Sequence, residues 1–340
     1  MSGHGKNRVL VIICLLISIV LISGCARERQ EADNNISERH NLTRADLGIS
    51  IANYPVVDGS TSTHPLAVLI ACELLGVPYE WNTYNDDLFF GTYERDLFPV
   101  RTPANARTCE FIDERVCHFG THDAYVNLLD KKADLILVAR PPSEDELAMA
   151  GCRNVELVAE PVALDAFVFL LNSNNSVKSL TVDQIRDIYT GEITRWSQVG
   201  GRDTNISAYQ REENSGSQEL MKSLVMSDEA IIPAHEMILY GMMGPINRLS
   251  MDEDGIGYSV YFFKEQMSYG KNVTSCAIDG VYPDRASIGS RAYPLVSEAY
   301  VVKRKDLEAG STAYQLFDWL LGHEGQSIVE KSGYIPLANP

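Results

Sequence analysis

The sequence predicts an α/β protein of two lobes, each a mainly parallel sheet flanked by helices, hinged by crossover strands. Three observations carry this. From Tyr54 onward, short apolar runs of strand length alternate with longer segments of helical period. That order is expected of parallel sheets with helices on both faces. Loops of Gly, Ser and Thr stand between several of these strands and the helices after them. The chain beyond residue 50, about 290 residues, is long enough for two compact lobes of roughly 100–150 residues each.

The elements follow in order. Tyr54-Pro-Val-Val is a short strand, and Asp58-Gly-Ser-Thr-Ser-Thr63 a loop. His64–Leu75 is a helix with Pro65 in its first turn, where a missing N–H costs nothing, and Gly76 ends it. The stretch 84–117 is polar, aromatic and poorly periodic, and reads as a long excursion. Gly120-Thr121-His122 leads into a helix at 123–129, and Ala133–Val138 is a buried strand in which Asp134 bonds backbone. Pro141-Pro142-Ser143 turns into a helix whose first residues are acidic, as the helix dipole prefers. Strands follow at 155–158 and 166–171, then a helix from Leu180 to Tyr189 with Thr190-Gly191 behind it. A turn spans Trp196 to Gly201, and 206–209, 255–263 and 300–302 are strands. An amphipathic helix spans 311–321, and Gly333–Leu337 closes the chain.

The N-terminus stands apart. Met1–Arg8 is basic, Val9–Ile22 is an unbroken apolar run, and Ser23-Gly24-Cys25 follows. Small residues and a cysteine after an apolar core resemble the lipobox of exported lipoproteins, which implies cleavage before Cys25 and lipid on that residue. The alternative is an uncleaved membrane anchor. Either places the rest outside the cytoplasm. Residues 25–50 read as a flexible tether.

Twenty-nine basic residues against 46 acidic ones leave a net charge of −17. This speaks against nucleic acid as a partner, since its binding needs basic patches. It also means that any bound anion must be held by local dipoles and one or two arginines, not by the overall field. Of the cysteines beyond Cys25, Cys109 and Cys117 are the expected pair, Cys152 with Cys276 a second, and Cys72 a buried free thiol. No spacing resembles a zinc site, and no cofactor or metal is expected.

Three loops share one design: Asp58–Thr63, Gly120–His122 and Ser215-Gly216-Ser217, with Arg211 just ahead of the last. A helix N-terminus exposes unpaired N–H donors and a partial positive charge. Hydroxyls add neutral donors, and glycine lets backbone approach a ligand. Together these suit a tetrahedral oxyanion. Taken singly, each loop is as well explained by an ordinary helix cap.

Leu180-Thr-Val-Asp-Gln-Ile-Arg-Asp-Ile-Tyr-Thr-Gly-Glu-Ile-Thr-Arg-Trp-Ser-Gln-Val-Gly-Gly201, Arg211-Glu-Glu-Asn-Ser-Gly-Ser217, Gly255-Ile-Gly-Tyr258 and the segment 324–337 resemble the PstS family of phosphate-binding lipoproteins of ABC importers. The resemblance covers nearly everything after Tyr54. It implies the type II periplasmic binding-protein fold, with one lobe of residues 51–163 and 262–340 and the other of 164–261. It further implies a protein, monomeric and not an enzyme, that closes on phosphate and presents it to permease subunits. Carried over by position, Arg211, Ser215, Gly216 and Ser217 would bind the anion, with Glu213 holding the Arg211 guanidinium. Ser60, Thr61 and Thr121 would supply donors from the other lobe.

One position departs. Where the family has an acidic acceptor after the buried strand, this chain has Arg140. Arg140 is either a surface arginine paired with Glu144 or Asp145, or a second cation on the ligand. Without the acidic acceptor, the preference for a protonated oxyanion over sulfate would be lost unless Asp58, Asp123 or Glu213 replaces it. Sulfate or a phosphate ester therefore stays open as the ligand, as does a surface sensor or adhesin that reuses the fold. His64 and His122 read as loop histidines. Trp81, Tyr84, Tyr93, Phe89 and Phe90 read as packing on their own lobe. A Gly-x-Ser-x-Gly turn, a Walker loop and a metal-ligand cluster are not found in the sequence, which argues against hydrolase and nucleotidase readings.

Overall fold

The computed structural model describes residues 42–84, 91–227, 229–233 and 235–337. The leader, Cys25, most of the tether, and Phe89 and Phe90 lie outside the described residues. No helix among the described residues is long and apolar enough to cross a membrane.

The strands are β1 (Val57–Gly59), β2 (Tyr79–Tyr84), β3 (Thr92–Pro99), β4 (Leu135–Val138), β5 (Leu157–Asn172), β6 (Ser179–Leu180), β7 (Ser207–Ala208), β8 (Gln210–Arg211), β9 (Ile238–Leu239), β10 (Gly255–Val260), β11 (Ser268–Gly270), β12 (Val273–Ser275), β13 (Ala277–Ile278), β14 (Val296–Arg304) and β15 (Ile335–Pro336). The α-helices are α1 (His64–Leu75), α2 (Ala106–Arg115), α3 (Thr121–Leu129), α4 (Glu144–Cys152), α5 (Val182–Thr190), α6 (Gly216–Met221), α7 (Met243–Leu249), α8 (Arg285–Gly289), α9 (Thr312–Leu320) and α10 (His323–Ser332). The protein is a mixed α/β fold. Its main sheet runs β1-β4-β14-β5-β10-β7, with β12 and β15 also on β5.

β5 is the spine of both lobes. Its first half pairs antiparallel with β14, from Leu157↔Arg304 to Ala166↔Val296. Its second half pairs antiparallel with β10, from Phe167↔Val260 to Leu171↔Ile256. The parallel pairs, β1 with β4 and β7 with β10, lie at the two ends of the main order. Residues 162–172 are buried throughout, because both faces of the strand are covered, so they read as a continuous apolar run rather than an alternation. The sequence reads as two strands here because Glu160 and Pro161 interrupt that run. Pro161 has no N–H to give, and the ladder absorbs it at a register shift between Ala299 and Tyr300. The second crossing lies beside the first: the Phe262 N–H donates to Asp165 Oδ1 at 2.9 Å.

Local signals explain α5. In α5, Thr181 accepts from Gln184 N in a capping box, and Gly191 ends the helix in the left-handed region at φ 82°.

Several expectations are corrected. The excursion at 84–117 is a hairpin, β2 against β3, followed by α2. Its inward positions include Thr92 and Asp96, both buried, so its period-2 signal is polar and was not legible as a strand. Trp81 stacks under Arg95 at 4.9 Å and Tyr93 stacks on Tyr269 at 5.1 Å. Residues 42–50 are docked rather than free: Leu47 is buried, and Arg44 N donates to Glu324 Oε2 at 2.6 Å. Residues 273–278 return to the second half, with β12 on the distal end of β5 and β13 on β6. The five described cysteines are free thiols. Cys109 is buried beside Cys72, whose thiol burial pushes up to about 12. Cys117 lies past the end of α2, and exposed Cys152 is remote in environment from buried Cys276.

Candidate functional site

The expected hydroxyl loops converge on a cleft of about 500 Å³. Ser60, Thr61, Thr121, Arg211, Glu213, Ser215, Gly216 and Ser217 all line it.

The first wall is set by β1 and β4. At Gly59 the strands approach so closely that a Cβ would lie 2.3 Å from the Leu137 carbonyl oxygen, so only glycine fits. Buried Asp58 then ties two loops together. Its Oδ1 accepts from Gly59 N at 2.7 Å and Phe119 N at 3.2 Å, and its Oδ2 accepts from Asn127 Nδ2 at 2.7 Å. Asp58 is thereby occupied as scaffold. The bracing brings Ser60 Oγ within 2.7 Å of Thr121 Oγ1, while Ser60 Oγ accepts from Ala139 N at 3.1 Å. Both residues are buried. Asp123, in the first turn of α3, is exposed and also lines the cleft.

The second wall is β8 and α6. Ser215 caps α6 by accepting from Gln218 N at 3.3 Å, and Ser217 is buried on its first turn. Arg211 is 4 % exposed. Its backbone N–H donates to the Tyr258 hydroxyl at 3.0 Å, and its Nε donates to the Leu239 carbonyl at 3.1 Å. Its Nη1 lies 3.4 Å from Met242 Sδ, and Met242 also lines the cleft. The walls touch: a Cβ on Gly216 would fall 2.5 Å from Thr121 Oγ1.

Two expected roles are corrected. The carboxylate that holds the Arg211 guanidinium is Glu212, by Nε–Oε2 at 3.0 Å and Nη2–Oε1 at 2.9 Å. Glu213 points outward to Lys222. Arg140 does not line the cleft. It is 3 % exposed and forms a two-pronged pair with fully buried Glu146, at 2.7 and 2.8 Å, rather than with Glu144 or Asp145. Burial pushes the Glu146 carboxyl up, but Arg140, the Ser143 N–H and His122 outweigh it and hold it below its ordinary value. Arg140 is thus a structural cation under α4. His122, a residue of the cleft, bonds this pair through Nδ1 to Glu146 Oε1 at 3.0 Å.

The residues missed from sequence are Glu212, Met242 and His118, all on the cleft wall. Glu212 adjoins Arg211 and His118 precedes Gly120-Thr121, so proximity in sequence was the available signal. His118 also belongs to the one cluster among the described residues that could hold a metal, with His64 and Asp96.

The chain matches the family model described as a PBP superfamily domain over residues 119–324. The phosphate-binding protein PstS of Borreliella burgdorferi is 28 % identical over 217 residues, covering 61 % of this chain and 74 % of that protein. Its counterpart in Bacillus subtilis is 29 % identical over 185 residues, with coverages of 54 % and 59 %. Among solved structures, a putative phosphate ABC transporter substrate-binding protein with bound phosphate from Clostridium perfringens aligns with a TM-score of 0.59 at 20 % identity, covering 85 % of this chain and 100 % of that one. An ABC-type phosphate transport receptor from Vibrio cholerae aligns with a TM-score of 0.56 at 19 % identity, with coverages of 83 % and 99 %. The chain shares its overall fold with those structures, and with the family match spanning well over half of its length, it belongs to the PBP superfamily.

Proposed function

We propose that the protein captures inorganic phosphate between its two lobes and presents it to the permease of an ABC importer. The relatives that bear the name phosphate-binding protein support this reading. The observation that carries it is the convergence of Ser60, Thr121 and Ser217, from separate segments, on one cleft that also holds the Arg211 side chain. Hydroxyls and helix N-termini supply neutral donors, and Arg211 supplies one positive charge already steered by Glu212. Such a set binds an anion in a chain of net charge −17 because the donors act at contact distance while the repulsive field is screened.

Asp123 supplies the acceptor that Arg140 does not. As a carboxylate on the cleft wall it accepts a hydrogen bond from the P–OH of a hydrogen phosphate, whereas sulfate has no such donor and leaves two acceptors facing each other. Both lobes contact the ligand, so binding favours the closed arrangement that the permease recognises. The monomer is tethered outside the cytoplasm by lipid on Cys25. Equilibrium dialysis with radiolabelled phosphate against sulfate tests the reading. Micromolar phosphate binding with weak sulfate binding is expected; binding of neither anion overturns it.

A further inference from the structure

Beside the anion donors, three ligating side chains from three separate segments meet. His64 opens α1, Asp96 lies on β3, and His118 stands in the loop before α3. Asp96 is buried, and its Oδ2 lies 2.7 Å from His64 Nδ1. The His64 and His118 rings are tilted at 45° with centroids 4.1 Å apart. One ligating atom from each of the three residues lies within 4.8 Å of the others. A tetrahedral zinc ion with bonds of ~2.0–2.1 Å needs its ligands about 3.4 Å apart. The spacings present, from 2.7 Å between His64 and Asp96 up to at most 4.8 Å, bracket that value.

A His–Asp pair alone would satisfy Asp96 and His64, yet a second imidazole is packed against the first. An imidazole keeps one ring nitrogen with a free lone pair in its neutral form, which is what a metal takes. The surroundings are negative. Glu94 lies two residues before Asp96 on the same strand, so both carboxyls project from the same face. A divalent cation would relieve this crowding of carboxylates.

We propose that His64, Asp96 and His118 form a binding site for a zinc-like divalent transition metal in the wall of the cleft, with its fourth coordination position open. Two imidazoles and a carboxylate suit zinc and its late first-row neighbours rather than magnesium or calcium. Three protein ligands leave one position for water or another oxygen ligand. Because His118 lines the cleft, an ion held there would sit at its wall.

The test is calorimetric titration of ZnCl2 into the full chain in phosphate-free buffer, with CoCl2 as an optical probe. One site of micromolar or tighter affinity is expected, together with the intense visible band of four-coordinate cobalt. His118→Gln should weaken zinc at least about tenfold, and His64→Gln with His118→Gln should abolish the site. An octahedral cobalt spectrum, no one-to-one site, or unchanged affinity in both variants overturns the proposal; unchanged affinity would assign binding to other histidines. If a variant fails to fold, the wild-type cobalt spectrum still decides. Phosphate is absent throughout, so the outcome is independent of anion binding.

Discussion

Gly216→Ala separates ligand capture from folding. Gly216 opens α6 on one wall, and Thr121 opens α3 on the other. A Cβ at residue 216 would lie 2.5 Å from Thr121 Oγ1 and 3.3 Å from Thr121 Cβ. Thr121 cannot easily turn away, because Oγ1 is held 2.7 Å from Ser60 Oγ. The closed arrangement must therefore shift, at a cost of ~1–3 kcal/mol typical of overpacking. That converts to a loss of phosphate affinity of roughly five- to 150-fold. An open arrangement lacks the clash, and alanine restricts the unfolded chain more than glycine by ~0.4–1 kcal/mol, so the melting temperature without ligand should hold or rise. Equilibrium dialysis and thermal melts of the two proteins, with Gly151→Ala as a control at a position with open space, read both effects. Phosphate affinity within twofold of wild type in Gly216→Ala would refute closure through the Thr121–Gly216 contact.

Further outcomes are expected elsewhere. Glu212→Gln should weaken phosphate binding measurably and Glu213→Gln should not, because Glu212 holds Arg211; Arg211→Ala itself should lose at least about tenfold, the worth of a charge-assisted bond of ~1.5–3 kcal/mol. Asp123→Asn should raise sulfate binding relative to phosphate, read by competition dialysis. Glu146→Ala leaves the Arg140 charge buried and unpaired, and urea melts should show a loss of ~3–5 kcal/mol. Asp165 sits where the two crossings meet, and burial raises its carboxyl from 3.8 to about 7. A group raised on folding stabilises below its unfolded value and loses that contribution as pH climbs through the folded one. Stability measured by urea melts should therefore fall between about pH 4 and pH 8, and Asp165→Asn should flatten the slope.

What was legible in the sequence was local. The Thr181–Gln184 capping box and Gly191 announce α5 within a few residues, and the strand–hydroxyl–helix loops announce the cleft because each needs only its own segment. What depended on tertiary pairing was not. Arg140 and Glu146 are six residues apart, and only the turn into α4 decides that Glu146, not Glu144 or Asp145, folds inward. Which of Glu212 and Glu213 meets Arg211 is settled by the pairing of β8 with β9, from 28 residues downstream. β3 escaped notice because two of its buried positions carry the polar Thr92 and Asp96, on one face, and Leu97 is buried on the other. The grouping of His64, Asp96 and His118 spans 54 residues and three segments, so no spacing rule could reveal it.

A crystal structure of the protein soaked with phosphate is the most direct measurement. One anion should lie within hydrogen-bond distance of the Ser60, Thr121 and Ser217 hydroxyls and of the Arg211 guanidinium, with Asp123 facing one of its oxygens. Phosphate bound outside this cleft, or a cleft filled only by water at saturating phosphate, would contradict capture between the two lobes.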